Sequence, residues 1–180
     1  MPRIDAGSAE CLIFIYKEGL LSPIAHDLKI RVSRFTVDID PASRAVEARF
    51  DARSLEVVCA QQDGHDRPGA LSDADKRKIE ATLAADVLEA ARHPEVRFVS
   101  TSVEPEGEGY RVQGQLTLHG VTRPISFTTR PSASQQVAEV TLSQPDFGIK
   151  PYRAMLGALK LRADVTVRAA LPASDLKLAG

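Results

Sequence analysis

The fold class this chain predicts is mainly β: about eight antiparallel strands curled into an extended barrel, with one amphipathic helix. Three observations carry that expectation. Tyr110, Val112, Gly114, Leu116 and Leu118 share one face of an extended segment, and Leu159, Leu161, Ala163, Val165, Val167 and Ala169 alternate with more polar neighbours. Strand side chains point alternately to opposite sides, so each segment has one oily and one wet face. Two long segments also change parity midway, and a single stretch has helical periodicity.

Extended segments fall at 10–17, 26–40, 45–58, 95–104, 109–119, 121–130, 136–145 and 157–170, separated by Gly, Pro, Asp or Ser. In the second, Leu28, Ile30 and Val32 share one parity and Phe35, Val37 and Ile39 the other, so the register slips near Ser33 and Arg34. The third behaves alike, with Val46, Ala48, Phe50 and Ala52 followed by Leu55 and Val57. Bulges or bends at such slips favour a closed or strongly bent barrel over a flat sandwich.

Between these strands and the later meander, Ile79, Leu83, Val87, Ala90 and Ala91 recur at helical spacing. Ser72 with Asp75 forms a capping-box pattern at the start, and His93-Pro94 supplies the stop. The polar, glycine-punctuated stretch from Cys59 to Asp73 reads as an exposed connector, or as a loop gating a cavity. Residues 1–171 are expected to form one domain, with 172–180 as a tail.

Composition narrows the function. The chain has 180 residues, 23 basic and 24 acidic side chains, a net charge of -1, no tryptophan, 3 tyrosines and 6 phenylalanines. Neither a strong positive field nor a stacking platform is available, so nucleic acid is not an expected partner. No stretch approaches the roughly 20 apolar residues of a membrane-crossing helix. The short apolar run Cys11–Tyr16 is not a secretory core, which places the chain in the cytoplasm as an expectation, with Cys11 and Cys59 as reduced, buried thiols.

Local motifs for chemistry are missing. His26, His65, His93 and His119 lie far apart without the i, i+2 or i, i+4 ligand spacing of a metal site, so no metal is expected. His119 suits a hairpin turn before Gly120, and His93 a helix end. His26, followed by Asp27 where a long strand begins, suits a rim anchor. No GxSxG, Walker, GxGxxG or HExxH pattern occurs, so neither catalytic residues nor a cofactor are expected.

Three stretches, HPEVRF at 93–98, GQLTLHGVTRPISF at 114–127 and DFGIKPYRAMLGALKLRADVTVRAAL at 146–171, together resemble the YceI-like family of lipid-binding proteins. SPIAHDLKIRV at 22–32 resembles that family's long opening strand. The resemblance implies an extended, lipocalin-like barrel of eight strands with a helix, often a homodimer, holding an isoprenoid or other long acyl chain. Many relatives are periplasmic.

From the apolar parities, the expected lining is Leu12, Phe14, Leu28, Ile30, Leu116 and Leu118, joined by Phe127, Phe147, Met155, Leu159 and Leu161. His26, Tyr152 and Arg153 are the expected polar anchors at the mouth. The function expected is non-catalytic binding or carriage of a lipid-like molecule. The alternatives are a packed dimeric scaffold with a filled bore, and an enzyme on an apolar substrate with His26 as base.

Overall fold

The structure is a computed structural model and describes residues 3–18, 26–154 and 159–176. The first strands are β1 (Arg3–Asp5), β2 (Glu10–Lys17), β3 (Asp27–Val32), β4 (Phe35–Ile39), β5 (Val46–Asp51), β6 (Leu55–Gln62) and β7 (His65–Arg67). After helix α1 (Asp73–Thr82) come β8 (Glu95–Glu106), β9 (Gly109–Leu118), β10 (Val121–Ser132), β11 (Gln135–Ser143), β12 (Arg153–Ala154) and β13 (Leu159–Pro172). Twelve strands follow one path, β1-β4-β5-β8-β9-β10-β11-β13-β2-β3-β6-β7, and β12 pairs with β13.

The mainly β, antiparallel expectation agrees with this architecture; the count of eight and the closed barrel are corrected. Bends at the two parity slips divide the long segments into β3 with β4 and β5 with β6, and the short strands β1, β7 and β12 are additional. The ends of the path, β1 and β7, are not paired with each other, so the sheet is a curled, open half-barrel. Its two margins are joined through the covalent bends.

A change of parity strands backbone groups, and Ser54, only 2% exposed, satisfies them. Its carbonyl accepts from the Ser33 N–H at 2.9 Å and from Ser33 Oγ at 3.1 Å. Its hydroxyl accepts from the Arg34 N–H at 3.1 Å and donates to the Asp51 carbonyl at 2.8 Å.

The concave face carries the main core, including Val32, Phe35, Val37, Ile39, Phe98, Val112 and Leu116. The capping box at Ser72 and Asp75 is present as expected. Helical backbone continues beyond α1 as a π turn over Leu83–Val87 and stops there, short of the expected His93-Pro94 boundary, because Glu89 turns left-handed at φ 46°. Leu83 packs with Ile15, Leu28, Ile30 and Val57 in a second cluster that seats the helical segment on the sheet. Glu80 fixes it by accepting from the Val57 N–H at 2.8 Å.

The 59–73 stretch is also more ordered than a loop. Cys59–Gln62 complete β6, and β7 pairs back onto it through the Asp63-Gly64 turn. No residue of that stretch lines the cavity described below. No helix among the described residues is long and apolar enough to cross a membrane.

Candidate functional site: an apolar cavity

Inside the curl lies a cavity of about 300 Å³. Its walls follow the i, i+2 rule of strands: Cys11, Ile13 and Ile15 from β2, Val46, Ala48 and Phe50 from β5, and Val165, Val167, Ala169 and Leu171 from β13. β11 contributes Ala138, Val140 and Leu142, and β8 contributes Val96, Phe98 and Val103. The odd step from Phe98 to Val103 follows from a bulge between Ser100 and Ser102, which resets the parity of β8.

Lining runs along β9 from Tyr110 to Leu118, which at roughly 3.3 Å per residue is about 26 Å, so the cavity is long and narrow. Leu83, Val87 and Leu88 close it at the helix-covered end. Leu176 lines it near the opposite end, where residues 173–176 turn back after β13. Phe98 and Phe127 meet across the wall with ring centroids 5.7 Å apart.

Polar groups in the lining are few, and those of Thr129, Gln136, Gln144 and Asp51 are engaged by the protein itself. Thr129 Oγ1 accepts from the Tyr110 N–H at 3.0 Å and donates to Gln136 Oε1 at 2.9 Å. Gln136 Nε2 donates to the Glu108 carbonyl at 3.0 Å, and Gln144 Nε2 to the Arg162 carbonyl at 3.2 Å. Asp51 accepts from the Arg53 N–H at 2.8 Å and pairs with Arg34 at 2.8 Å. Burial pushes the Cys11 thiol up to about 12, leaving it a small apolar group in the wall. Such a lining offers contact area rather than directed hydrogen bonds.

Of the residues expected to line the cavity, Leu116, Leu118 and Phe127 do so. Leu12 and Phe14 do not, because β2 presents the parity of Cys11, Ile13 and Ile15. Leu28 and Ile30 are buried beneath the helical segment in the second cluster, and Leu161 packs against that cluster. Phe147 is buried in the main core without lining the cavity. Met155 and the side chain of Leu159 lie outside the described residues.

The polar anchors are not gathered at the lining either. His26 and Tyr152 are half-buried and Arg153 is exposed. Asp27, beside His26, is spent on the chain, accepting from the Lys17 N–H at 2.8 Å. The expected lining left out β4, β5, β8 and β11, although the alternation of Val37, Ile39, Val46, Ala48 and Phe50 already marked the lining faces of β4 and β5.

A family model described as "YceI-like domain" matches residues 19–173. A UPF0312 protein of Pseudomonas putida (strain W619) is 41% identical over 78 residues, 37% of this chain and 41% of that protein. Protein YceI of Escherichia coli O157:H7 is 31% identical over 97 residues, 53% of this chain and 42% of that protein. The matches therefore span about two fifths of these relatives' length. Among solved structures, Burkholderia cenocepacia BcnA is similar at TM-score 0.63 and 16% identity, covering 93% of this chain and 98% of that one. A polyisoprenoid binding domain from Saccharophagus degradans is similar at TM-score 0.58 and 13% identity, covering 91% of each chain.

Proposed function

We propose that this chain, which belongs to the YceI-like family, binds one long, apolar, lipid-like molecule along its cavity and does so without catalysis. The observation that carries this reading is the continuous apolar lining from Leu88 and Leu118 to Tyr110 and Leu171. Apolar space of about 300 Å³ that side chains leave unfilled would cost several kcal/mol at roughly 24 cal/mol per Å³, and an apolar occupant offsets that cost. Each CH2 buried there contributes about 0.8 kcal/mol, against which the ordering of a flexible chain must be set.

Length and narrowness favour an isoprenoid or acyl chain over a compact ring system. The similar domain from Saccharophagus degradans is described as polyisoprenoid binding, which supports the same ligand class. The internal hydrogen bonds of Thr129, Gln136 and Gln144 support a holder rather than an enzyme, since they leave those groups committed to the protein. Discrimination among chains of similar girth is then weak.

Native mass spectrometry tests the reading. The folded protein is expected to carry, or to take up from a polyprenol or fatty-acid mixture, one apolar molecule that denaturation releases. A folded mass equal to the denatured mass after such incubation contradicts it.

A further inference from the structure

We propose that Glu89, His93 and His119 form a binding site for a divalent first-row transition ion of the zinc type. The ligand atoms of these three side chains all lie within 4.8 Å of one another. His119 Nε2 is 2.7 Å from Glu89 Oε2, and the rings of His93 and His119 are 4.6 Å apart between centroids. A zinc ion binds imidazole nitrogen and carboxylate oxygen at about 2.0–2.2 Å, so two tetrahedral ligands stand roughly 3.3 Å apart. The observed spacings bracket that value, and small rotations of the side chains suffice to close on an ion.

The surroundings orient these ligands. His119 Nδ1 lies 3.2 Å from the Phe147 carbonyl oxygen, an acceptor that keeps a proton on Nδ1 when an ion takes the place of the Nε2 proton facing Glu89. Arg92 Nη1 donates to Glu89 Oε1 at 3.2 Å, which turns Oε2 toward His119. Both Glu89 (φ 46°) and His119 (φ 53°) take the left-handed backbone region, where glycine and asparagine are at ease and glutamate is not. His119-Gly120 is a two-residue hairpin turn with positive φ at both positions, a turn usually made by Asn-Gly or Asp-Gly. The backbone therefore does not demand a histidine there. Gly120 makes room for the third ligand, since a Cβ on it would stand 2.9 Å from His93 Cε1.

The three residues come from two pieces of chain: Glu89 and His93 from the turn between the helical segment and β8, where the His93 N–H donates to the Glu89 carbonyl at 3.0 Å, and His119 from the β9–β10 turn. Glu89 stands four residues before His93, an i, i+4 ligand pair where the sequence was expected to offer none, and the fold adds His119. All three are half-buried, so an ion has a path from solvent. Leu88 and Leu118, their chain neighbours, line the cavity, which puts the site at the rim of its helix-covered end. Three protein ligands leave a tetrahedral ion one position for water or another oxygen donor. The site stands independently of the proposed lipid binding.

The test titrates ZnCl2 calorimetrically into the untagged, chelator-stripped full chain. One ion per chain is expected, with binding weakened at least tenfold in Glu89→Gln and in His93→Ala and unchanged in His65→Ala, whose site is the exposed β7. Since His119 also contacts Phe147, His119→Ala risks disturbing the turn, and Co2+ supplies the second measurement. Visible absorption bands of a four-coordinate Co2+ are expected with the parent chain and are lost in a His93→Ala variant of unchanged circular dichroism. An absence of stoichiometric zinc binding, equal affinity in the variants, or a Co2+ spectrum like that of the free ion overturns the proposal and leaves a hydrogen bond between His119 and Glu89.

Discussion

The ring of Phe98 lies against Gly114. A Cβ placed on that glycine would stand 2.5 Å from Phe98 Cε2 and Cζ and equally close to the Val99 carbonyl oxygen. Gly114 occupies the inward parity between Val112 and Leu116, so the absence of a side chain there is what lets Phe98 lie flat in the cavity wall. Gly114→Ala is expected to displace both ring and backbone and to destabilise the fold by about 1–3 kcal/mol. Gly69→Ala, where a Cβ meets nothing within 4 Å, is expected to change stability by less than about 0.5 kcal/mol. Urea unfolding of the two variants checks the difference.

Ser54 is the seam of the two bends. Ser54→Ala leaves the Arg34 N–H without its hydroxyl acceptor inside the bend, at a cost of about 1–3 kcal/mol. A denaturation midpoint indistinguishable from the parent would show that the bends hold without this hydroxyl.

Cys11 is expected to resist alkylation. It is 2% exposed, and burial raises its thiol to about 12, so little thiolate is present at pH 8. Mass spectrometry after iodoacetamide treatment should find Cys11 unmodified in the folded protein and modified once it is unfolded. Rapid labelling under native conditions would mean that the cavity wall opens.

Acid should weaken the fold through its surface carboxylates. Arg97 and then Arg49 hold Glu47 below the usual carboxylate range, Arg31 and then Ser33 hold Glu56 below it, and Gln61 and then Lys29 do so for Asp66. A carboxyl lowered in the folded state adds stability above its unfolded value, near 4, and loses it as pH falls through the folded value. Stability from these groups is therefore complete above about pH 5 and declines below about pH 4, modestly, because the pairs are solvent-screened. Denaturant midpoints measured from pH 7 to pH 3 give the profile.

The parity slips at Ser33–Arg34 and Ala52–Ser54 were legible in the chain because alternation reports directly which face a residue takes. Their consequence for strand number was not, since a bend and a bulge look alike in a pattern of parities. β1, β7 and β12 are too short to show any period. Within the cavity, Leu116, Leu118 and Phe127 could be read from their own strands. Leu12 and Phe14 could not, because β2 is apolar on both faces and only its partners β3 and β13 decide which parity turns inward. Leu28 and Ile30 face inward as expected, yet the helical segment covers them, a tertiary contact that no strand pattern records.

Uptake of a fluorescent polyprenyl or fatty-acid probe by the parent chain and by Ala138→Phe tests the central claim most directly. Ala138 lines the cavity, and a phenyl group there fills its bore without adding charge or removing a hydrogen bond. Saturable uptake of one probe per chain by the parent, weakened at least tenfold in a folded Ala138→Phe variant, is the expected result. Equal uptake by both chains, or no saturable uptake by the parent, would contradict a ligand held inside the curled sheet.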